Sequence, residues 1–189
     1  MRGTTESKRG FIAVNDPRHQ PRLRVVIADD HPFYRAGLIR VLERNGFDVV
    51  AEVPNGEAAI RAVELSRPDV VVVDLNMPGT SGLATTRSLV TRVPSTPVMV
   101  LSVSSDESDV TDAILAGATG YMLKDRPHHE IVAGIRAAAA GQSPISPRIA
   151  AMLVRRLREN GTAEQPGIRG TLSGVNGRWR GPTRWLRRR

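Results

Sequence analysis

Two patterns of hydrophobic and polar positions alternate along the middle of the chain. Short runs such as LRVVIADD and PDVVVVDL are apolar at nearly every position until an aspartate near their end, which is typical of strands buried on both faces of a parallel sheet. The segments between them carry apolar residues every three or four positions, which predicts amphipathic helices. The predicted strands are 23–30, 47–53, 68–75, 97–103 and 119–124, and the predicted helices are 32–46, 56–66, 82–93, 106–118 and 127–142.

This alternation predicts an α/β protein with a doubly wound parallel sheet. Right-handed crossovers between consecutive strands place helices on both faces of the sheet and give a three-layer sandwich. Functional sites in such folds lie at the carboxyl ends of the strands, near the point where the strand order reverses. The residues that finish the strands are therefore the first candidates for chemistry.

Charged and hydroxyl side chains finish four of the five strands. Asp29 and Asp30 close the first strand, Asp74 lies at the end of the third, Ser102 at the end of the fourth and Lys124 at the end of the fifth. Three clustered carboxylates repel one another unless a cation lies among them, and hard oxygen ligands favour Mg²⁺. A carboxylate nucleophile beside Mg²⁺ and an ammonium group suits phosphoryl transfer. The chain has no GxxxxGK[ST] loop and no cysteine, which argues against a nucleotide cradle and thiolate chemistry.

These residues carry a family resemblance. The adjacent pair Asp29-Asp30, the DLNMPG motif around Asp74, Ser102 after VMVL, and GYMLKD around Lys124 together resemble the receiver domain of bacterial two-component response regulators. The match in order and spacing runs over 23–142, and it is specific because five positions on four strand ends agree. The resemblance implies a flavodoxin-like (βα)5 fold with a five-stranded parallel sheet in the order 2-1-3-4-5.

The resemblance also implies roles for single residues. Asp74 would be the phosphoacceptor, and Lys124 would pair with the phosphoryl group. The implied Mg²⁺ ligands are the side chains of Asp30 and Asp74 and the backbone carbonyl of Asn76, with Asp29 supporting them. A receiver of this kind accepts a phosphoryl group and can lose it again, so no enzyme acting on a separate substrate is expected.

A switch and a set of partners are implied as well. Ser102 would hydrogen-bond a phosphoryl oxygen, and Tyr121 would fill the space that Ser102 vacates. These movements would alter the surface made by the fourth helix, the fifth strand and the fifth helix. The expected partners are a sensor histidine kinase and, after phosphorylation, a second copy of the chain.

Three histidines near these motifs are weaker candidates. His31 follows the acidic pair and could touch the metal, but a position at the start of a helix near the site explains it better. His128 and His129 begin the fifth helix, and adjacent residues on a helix face different ways, which makes a poor metal site.

Charge divides the chain into segments. The net charge of +8 combines +3 in 1–22, −4 in 23–147 and +9 in 148–189, so the basic excess lies at the two ends. No apolar run approaches the roughly 20 residues that span a bilayer, and the N-terminus lacks the apolar region of a signal peptide. A cytoplasmic protein is therefore expected. The predicted segments are a flexible N-terminal extension over 1–22, the receiver over 23–142, a linker helix over 143–160 and a basic disordered tail over 161–189.

The linker and the tail give conflicting indications about DNA binding. GATGYMLKD and GQSPISPRIAAMLVRRLREN resemble the NarL/FixJ subclass, in which the linker leads to a LuxR-type helix-turn-helix that binds DNA. Only 29 residues follow Asn160, whereas four helices of average length need about 45. The prediction is that no intact DNA-binding domain follows. Leu172-Ser173 resembles the start of that domain, so the hypotheses for the tail are natural truncation, a frameshift or a sequencing error.

Two other functions compete with that of a receiver. An aspartate-nucleophile phosphatase similar to the haloacid dehalogenases would carry DxD after its first strand, whereas here the two aspartates are adjacent. A nucleic-acid binder could use the basic tail, whose arginines would give salt-sensitive, nonspecific contact with phosphates. The receiver accounts for more of the chain than either alternative.

Overall fold

The computed structural model describes residues 22–163. The N-terminal extension predicted over 1–22 and the basic tail predicted over 161–189 therefore lie outside the described residues, apart from Arg22 and 161–163. The elements in chain order are β1 (Leu23–Ala28), α1 (Pro32–Arg44), β2 (Phe47–Val53), α2 (Gly56–Ser66), β3 (Val70–Val73), α3 (Gly82–Arg92), β4 (Val98–Ser102), α4 (Glu107–Leu115), β5 (Gly120–Leu123), α5 (His128–Ala139) and α6 (Pro147–Ala163).

The five strands form one parallel sheet in the order β2-β1-β3-β4-β5, which confirms the predicted fold. The register aligns the carboxyl ends at the centre of the sheet, because Ala28 of β1 pairs with both Val53 of β2 and Val73 of β3. The hydrogen bonding continues one residue further, with the amide of Asp29 donating to the Val53 carbonyl at 3.1 Å and the amide of Asp74 to the Ala28 carbonyl at 2.8 Å. This pairing brings the two aspartates to the same edge.

Apolar side chains fill both faces of the sheet because successive residues of a strand point to opposite sides. In β1, Val25 and Ile27 belong to the cluster under α1 and α5, and Val26 and Ala28 belong to the cluster under α2 and α3. All four are fully buried. The uninterrupted apolar run in the sequence is thus explained by burial on both faces.

The linker differs from its prediction as a helix over 143–160. The helix α6 spans Pro147–Ala163. It begins at Pro147 because Oγ of Ser146 accepts from the amide of Ile149 at 3.2 Å and caps the first turn. The residues before it are extended along β5, where the amide of Tyr121 donates to the Pro144 carbonyl at 3.1 Å. The linker therefore first pairs with the edge strand β5 through one isolated bridge, between Tyr121 and Ile145, and then forms a helix.

The apolar face of α6 packs against the receiver. Ile149 is 7% exposed and shares a cluster with Val110 of α4 and Tyr121 of β5, and Met152 and Leu153 pack against the same cluster. An ion pair joins Arg155 to Glu107 at the start of α4. Within residues 22–163, no helix is long and apolar enough to cross a membrane.

Candidate phosphoacceptor site

The carboxyl edge of the sheet brings the predicted acidic residues together. Asp29 and Asp30 leave β1 and Asp74 leaves β3. Asp29 and Asp74 are 3% and 2% exposed, whereas the side chain of Asp30 is 28% exposed. One oxygen from each carboxylate and one ring nitrogen of His31 all lie within 4.8 Å of one another. The site is a small anionic pocket with one wall open to solvent.

Lys124 binds the two buried carboxylates from the end of β5. Its Nζ lies 2.7 Å from Oδ2 of Asp74 and 2.8 Å from Oδ2 of Asp29, and its side chain is only 6% exposed. One ammonium group cannot balance three carboxylates, and the residual negative charge favours a divalent cation. Oδ1 of Asp30 is buried and receives no hydrogen bond of normal geometry from the described residues. The donor set therefore fits Mg²⁺.

Asn76 lies in the loop that follows Asp74. Its backbone amide donates to Oδ1 of Asp74 at 3.3 Å, a local contact that orients the carboxylate. The two oxygens of Asp74 thus have different partners, an amide on Oδ1 and Lys124 on Oδ2. The exposed pair His128 and His129 is not part of the cluster that could hold a metal among the described residues.

Ser102 and Tyr121 meet at Ser104, a residue that the sequence pattern did not identify. Oγ of Ser102 accepts from the backbone amide of Ser104 at 3.1 Å, and the Tyr121 hydroxyl donates to the backbone carbonyl of Ser104 at 2.7 Å. Tyr121 is already fully buried, so its ring lies inside the protein without any movement of Ser102. Burial raises the pKa of the Tyr121 hydroxyl, with Ser102 opposing the shift, and the hydroxyl stays protonated as a donor.

Tyr34 on α1 is a second residue that the sequence pattern did not identify. Phe33, next to it on the helix, is 94% exposed, whereas Tyr34 turns inward, four residues before the buried Leu38. The Nζ atom of Lys124 lies 4.8 Å from the centre of the Tyr34 ring, a favourable cation–π distance. Burial, followed by the charges of Asp29 and Asp74, raises the pKa of Tyr34. The sequence could have identified Tyr34 as an inward-facing residue, because Tyr34, Leu38 and Leu42 follow one another at helical spacing.

A family comparison decides the assignment of this pocket. The model of the response regulator receiver domain matches residues 25–136, which include the whole acidic site and all of the sheet except the first two residues of β1. The chain belongs to this family. Receiver domains bind Mg²⁺ in the acidic pocket, and the cluster of aspartates occupies that position here.

Relatives of similar sequence include transcriptional regulators of the NarL/LuxR type. The chain is 36% identical to the transcriptional regulatory protein DegU of Brevibacillus brevis, over 77% of this chain and 62% of DegU. It is also 36% identical to the nitrate/nitrite response regulator NarL of Escherichia coli K12, over 75% of this chain and 66% of NarL. The chain thus spans slightly less than two thirds of the length of these relatives.

A solved structure of a LuxR-family response regulator has the same fold. The two-component response regulator of the LuxR family from Aurantimonas sp. SI85-9A1 aligns with a TM-score of 0.67 and 32% identity. The alignment covers 73% of this chain and 99% of that one. The receiver fold and the NarL/LuxR lineage are therefore both shown.

Proposed function

We propose that the protein is a phosphorylation-controlled receiver in which Asp74 accepts a phosphoryl group from a sensor histidine kinase. The observation that carries this proposal is a buried Asp74 carboxylate paired at 2.7 Å with Lys124 beside the unbalanced charges of Asp29 and Asp30. Such a group is protected from bulk water and is surrounded by cation-binding groups. Both properties favour attack on an incoming phosphoryl group.

The reaction exchanges one bond to phosphorus for another. A carboxylate oxygen of Asp74 forms the new P–O bond while the P–N bond to the kinase histidine breaks, and the electron pair of that bond stays on the imidazole nitrogen. Lys124 exchanges its contact with the Asp74 oxygen for a phosphoryl oxygen. Asp30, Asp74 and the carbonyl of Asn76 would hold Mg²⁺, which neutralises charge on the transferred group. The protein is thus an acceptor and not an enzyme for a separate substrate.

The switch would act through the backbone of Ser104. Phosphorylation adds close to two negative charges and new acceptors at Asp74, so the Ser102 hydroxyl turns to donate to the phosphoryl group. That turn breaks its bond to the Ser104 amide, 3.1 Å long here, and frees the residue whose carbonyl holds Tyr121. The movement reaches the surface of α4, β5 and α5.

The linker and α6 contact Tyr121 and would respond to its movement. The amide of Tyr121 pairs with the linker at Pro144, and Ile149 contacts the cluster that contains the Tyr121 ring. A displaced Tyr121 therefore disturbs the linker directly. Since DegU is a transcriptional regulatory protein, we propose that this receiver belongs to a lineage of transcription control and forms a homodimer when it is phosphorylated.

The phosphoacceptor assignment predicts that Asp74→Asn abolishes phosphorylation. Incubation of the full chain with acetyl phosphate and Mg²⁺ should add one phosphoryl group to the wild type, because only the carboxylate can form the acyl phosphate. Intact-mass spectrometry measures the adduct. Asp48→Asn is the matched control, since Asp48 lies exposed on β2 far along the strand from the pocket. Equal phosphorylation of the wild type and Asp74→Asn contradicts the proposal.

The switch proposal predicts a change in the linker. Hydrogen exchange at 144–153 should become faster when the wild type is phosphorylated, because the contacts of Tyr121 with the linker are rearranged. The amides of α2, which lies on the opposite side of the sheet from α5, provide the internal control. The same treatment of Asp74→Asn should leave both regions unchanged. Unaltered exchange at 144–153 in fully phosphorylated protein argues against transmission through Tyr121.

A further inference from the structure

An imidazole nitrogen faces the acidic pocket. His31 immediately precedes α1 and is held there by its backbone amide, which donates to Oδ1 of Asp29 at 2.8 Å. Its Nδ1 lies 2.7 Å from Oδ1 of Asp30, 3.7 Å from Oδ1 of Asp29 and 3.9 Å from Oδ2 of Asp74. The ring thus contributes a fourth ligand atom to a site that was otherwise made of oxygen.

The contact between His31 and Asp30 is not a normal hydrogen bond. Although Nδ1 and Oδ1 are only 2.7 Å apart, Oδ1 is buried and receives no hydrogen bond of acceptable geometry from the described residues. The two atoms therefore converge without an N–H directed along the line between them. Because neither atom is committed to a hydrogen bond with the other, both can bind a shared cation when Nδ1 carries no proton.

Each of the three carboxylates lies close enough to Nδ1 of His31 to share an ion with it. An ion about 2.1 Å from each ligand atom requires any two of these atoms to lie within about 4.2 Å of each other. The three separations from Nδ1, 2.7, 3.7 and 3.9 Å, satisfy that limit. The His31 side chain is 64% exposed, so a hydrated ion can approach it from solvent.

We propose that His31 is a metal ligand, and that it raises the affinity of the receiver's cation site for first-row transition ions relative to Mg²⁺. Mg²⁺ prefers oxygen ligands and binds imidazole poorly, whereas affinity for sites with nitrogen ligands rises from Mn²⁺ to Ni²⁺ and Cu²⁺. The ligand class is thus a divalent ion such as Mn²⁺, Co²⁺ or Ni²⁺, held by Asp30, Asp74 and His31. This inference rests on the proposed function in so far as the same carboxylates would hold Mg²⁺.

The test measures metal selectivity without any phosphodonor. Calorimetric titrations of Mg²⁺ and Ni²⁺ at one neutral pH compare the wild type with His31→Asn, in which asparagine remains a good residue before a helix. We expect His31→Asn to weaken Ni²⁺ binding about tenfold or more and to change Mg²⁺ affinity by less than about threefold. His129→Asn removes an exposed histidine outside the site and should change neither.

A spectroscopic measurement identifies the ligand directly. Pulsed electron paramagnetic resonance of bound Mn²⁺ should show coupling to an imidazole ¹⁴N in the wild type and in His129→Asn, and no such coupling in His31→Asn. Coupling that persists in His31→Asn, or equal losses of Mg²⁺ and Ni²⁺ affinity, overturns the inference. Because no phosphorylation is involved, these outcomes leave the Asp74→Asn result unaffected, and a failure of Asp74 as acceptor leaves the metal titrations interpretable.

Discussion

Lys124→Met is expected to lower the free energy of unfolding by about 3–5 kcal/mol in buffer without divalent cations. The substitution leaves Asp29 and Asp74, both almost fully buried, without the ammonium group that lies 2.8 and 2.7 Å from them. A methionine keeps most of the length and the apolar part of the lysine side chain, so the loss is mainly that of the charge. Urea unfolding followed by circular dichroism measures the difference.

Two controls separate charge from packing in that experiment. Lys124→Arg retains the positive charge and should lose clearly less stability than Lys124→Met. Added Mg²⁺ should stabilise Lys124→Met more than the wild type, because a bound ion replaces part of the missing charge and binds the folded state only. If Lys124→Met is as stable as the wild type without divalent ions, the buried carboxylates do not depend on Lys124.

Gly82→Ala is expected to destabilise the protein by about 3 kcal/mol, at the upper end of overpacking effects. A Cβ atom at Gly82 would lie 2.1 Å from the backbone oxygen of Asp74 and 2.5 Å from Cα of Leu75. Both atoms belong to the backbone of Asp74 and Leu75, so neither can move aside without displacing Asp74. The variant should therefore also be phosphorylated more slowly by acetyl phosphate, and both the unfolding curve and the adduct rate are measurable.

Gly37→Ala is the matched control for that substitution. Gly37 lies inside α1, and no atom lies within 4 Å of the Cβ position there. Alanine is favoured over glycine in a helix interior by about 1 kcal/mol, so this variant should be more stable than the wild type. A Gly82→Ala protein with unchanged stability would show that α3 can shift away from the Asp74 backbone.

Most of the architecture follows from the sequence pattern because burial on two faces leaves a distinct signature. The strand β3 is four consecutive valines, all buried, and no amphipathic element would tolerate that run. Every strand except β2 is shorter than predicted. At the carboxyl ends of β1 and β3 the reason is that Asp29, Asp30 and Asp74 turn into the pocket. The boundaries of the linker helix depended on Ser146 as a cap and on the pairing of Pro144 with Tyr121, a contact between segments well separated in the chain.

The sequence by itself determined the sheet, its layers and the residue types available at its edge, because periodicity and strand ends are local properties. Only the tertiary structure decided which atoms of those residues meet. The carboxyl ends of β1 and β3 are aligned, because Ala28 pairs with Val73. This alignment sets Asp29 beside Asp74 and places both within reach of Lys124. It also turned Tyr34 rather than Phe33 inward, joined Ser102 to Tyr121 through Ser104 and directed Nδ1 of His31 at Asp30. Such contacts depend on the relative position of separate elements, which no single segment of sequence specifies.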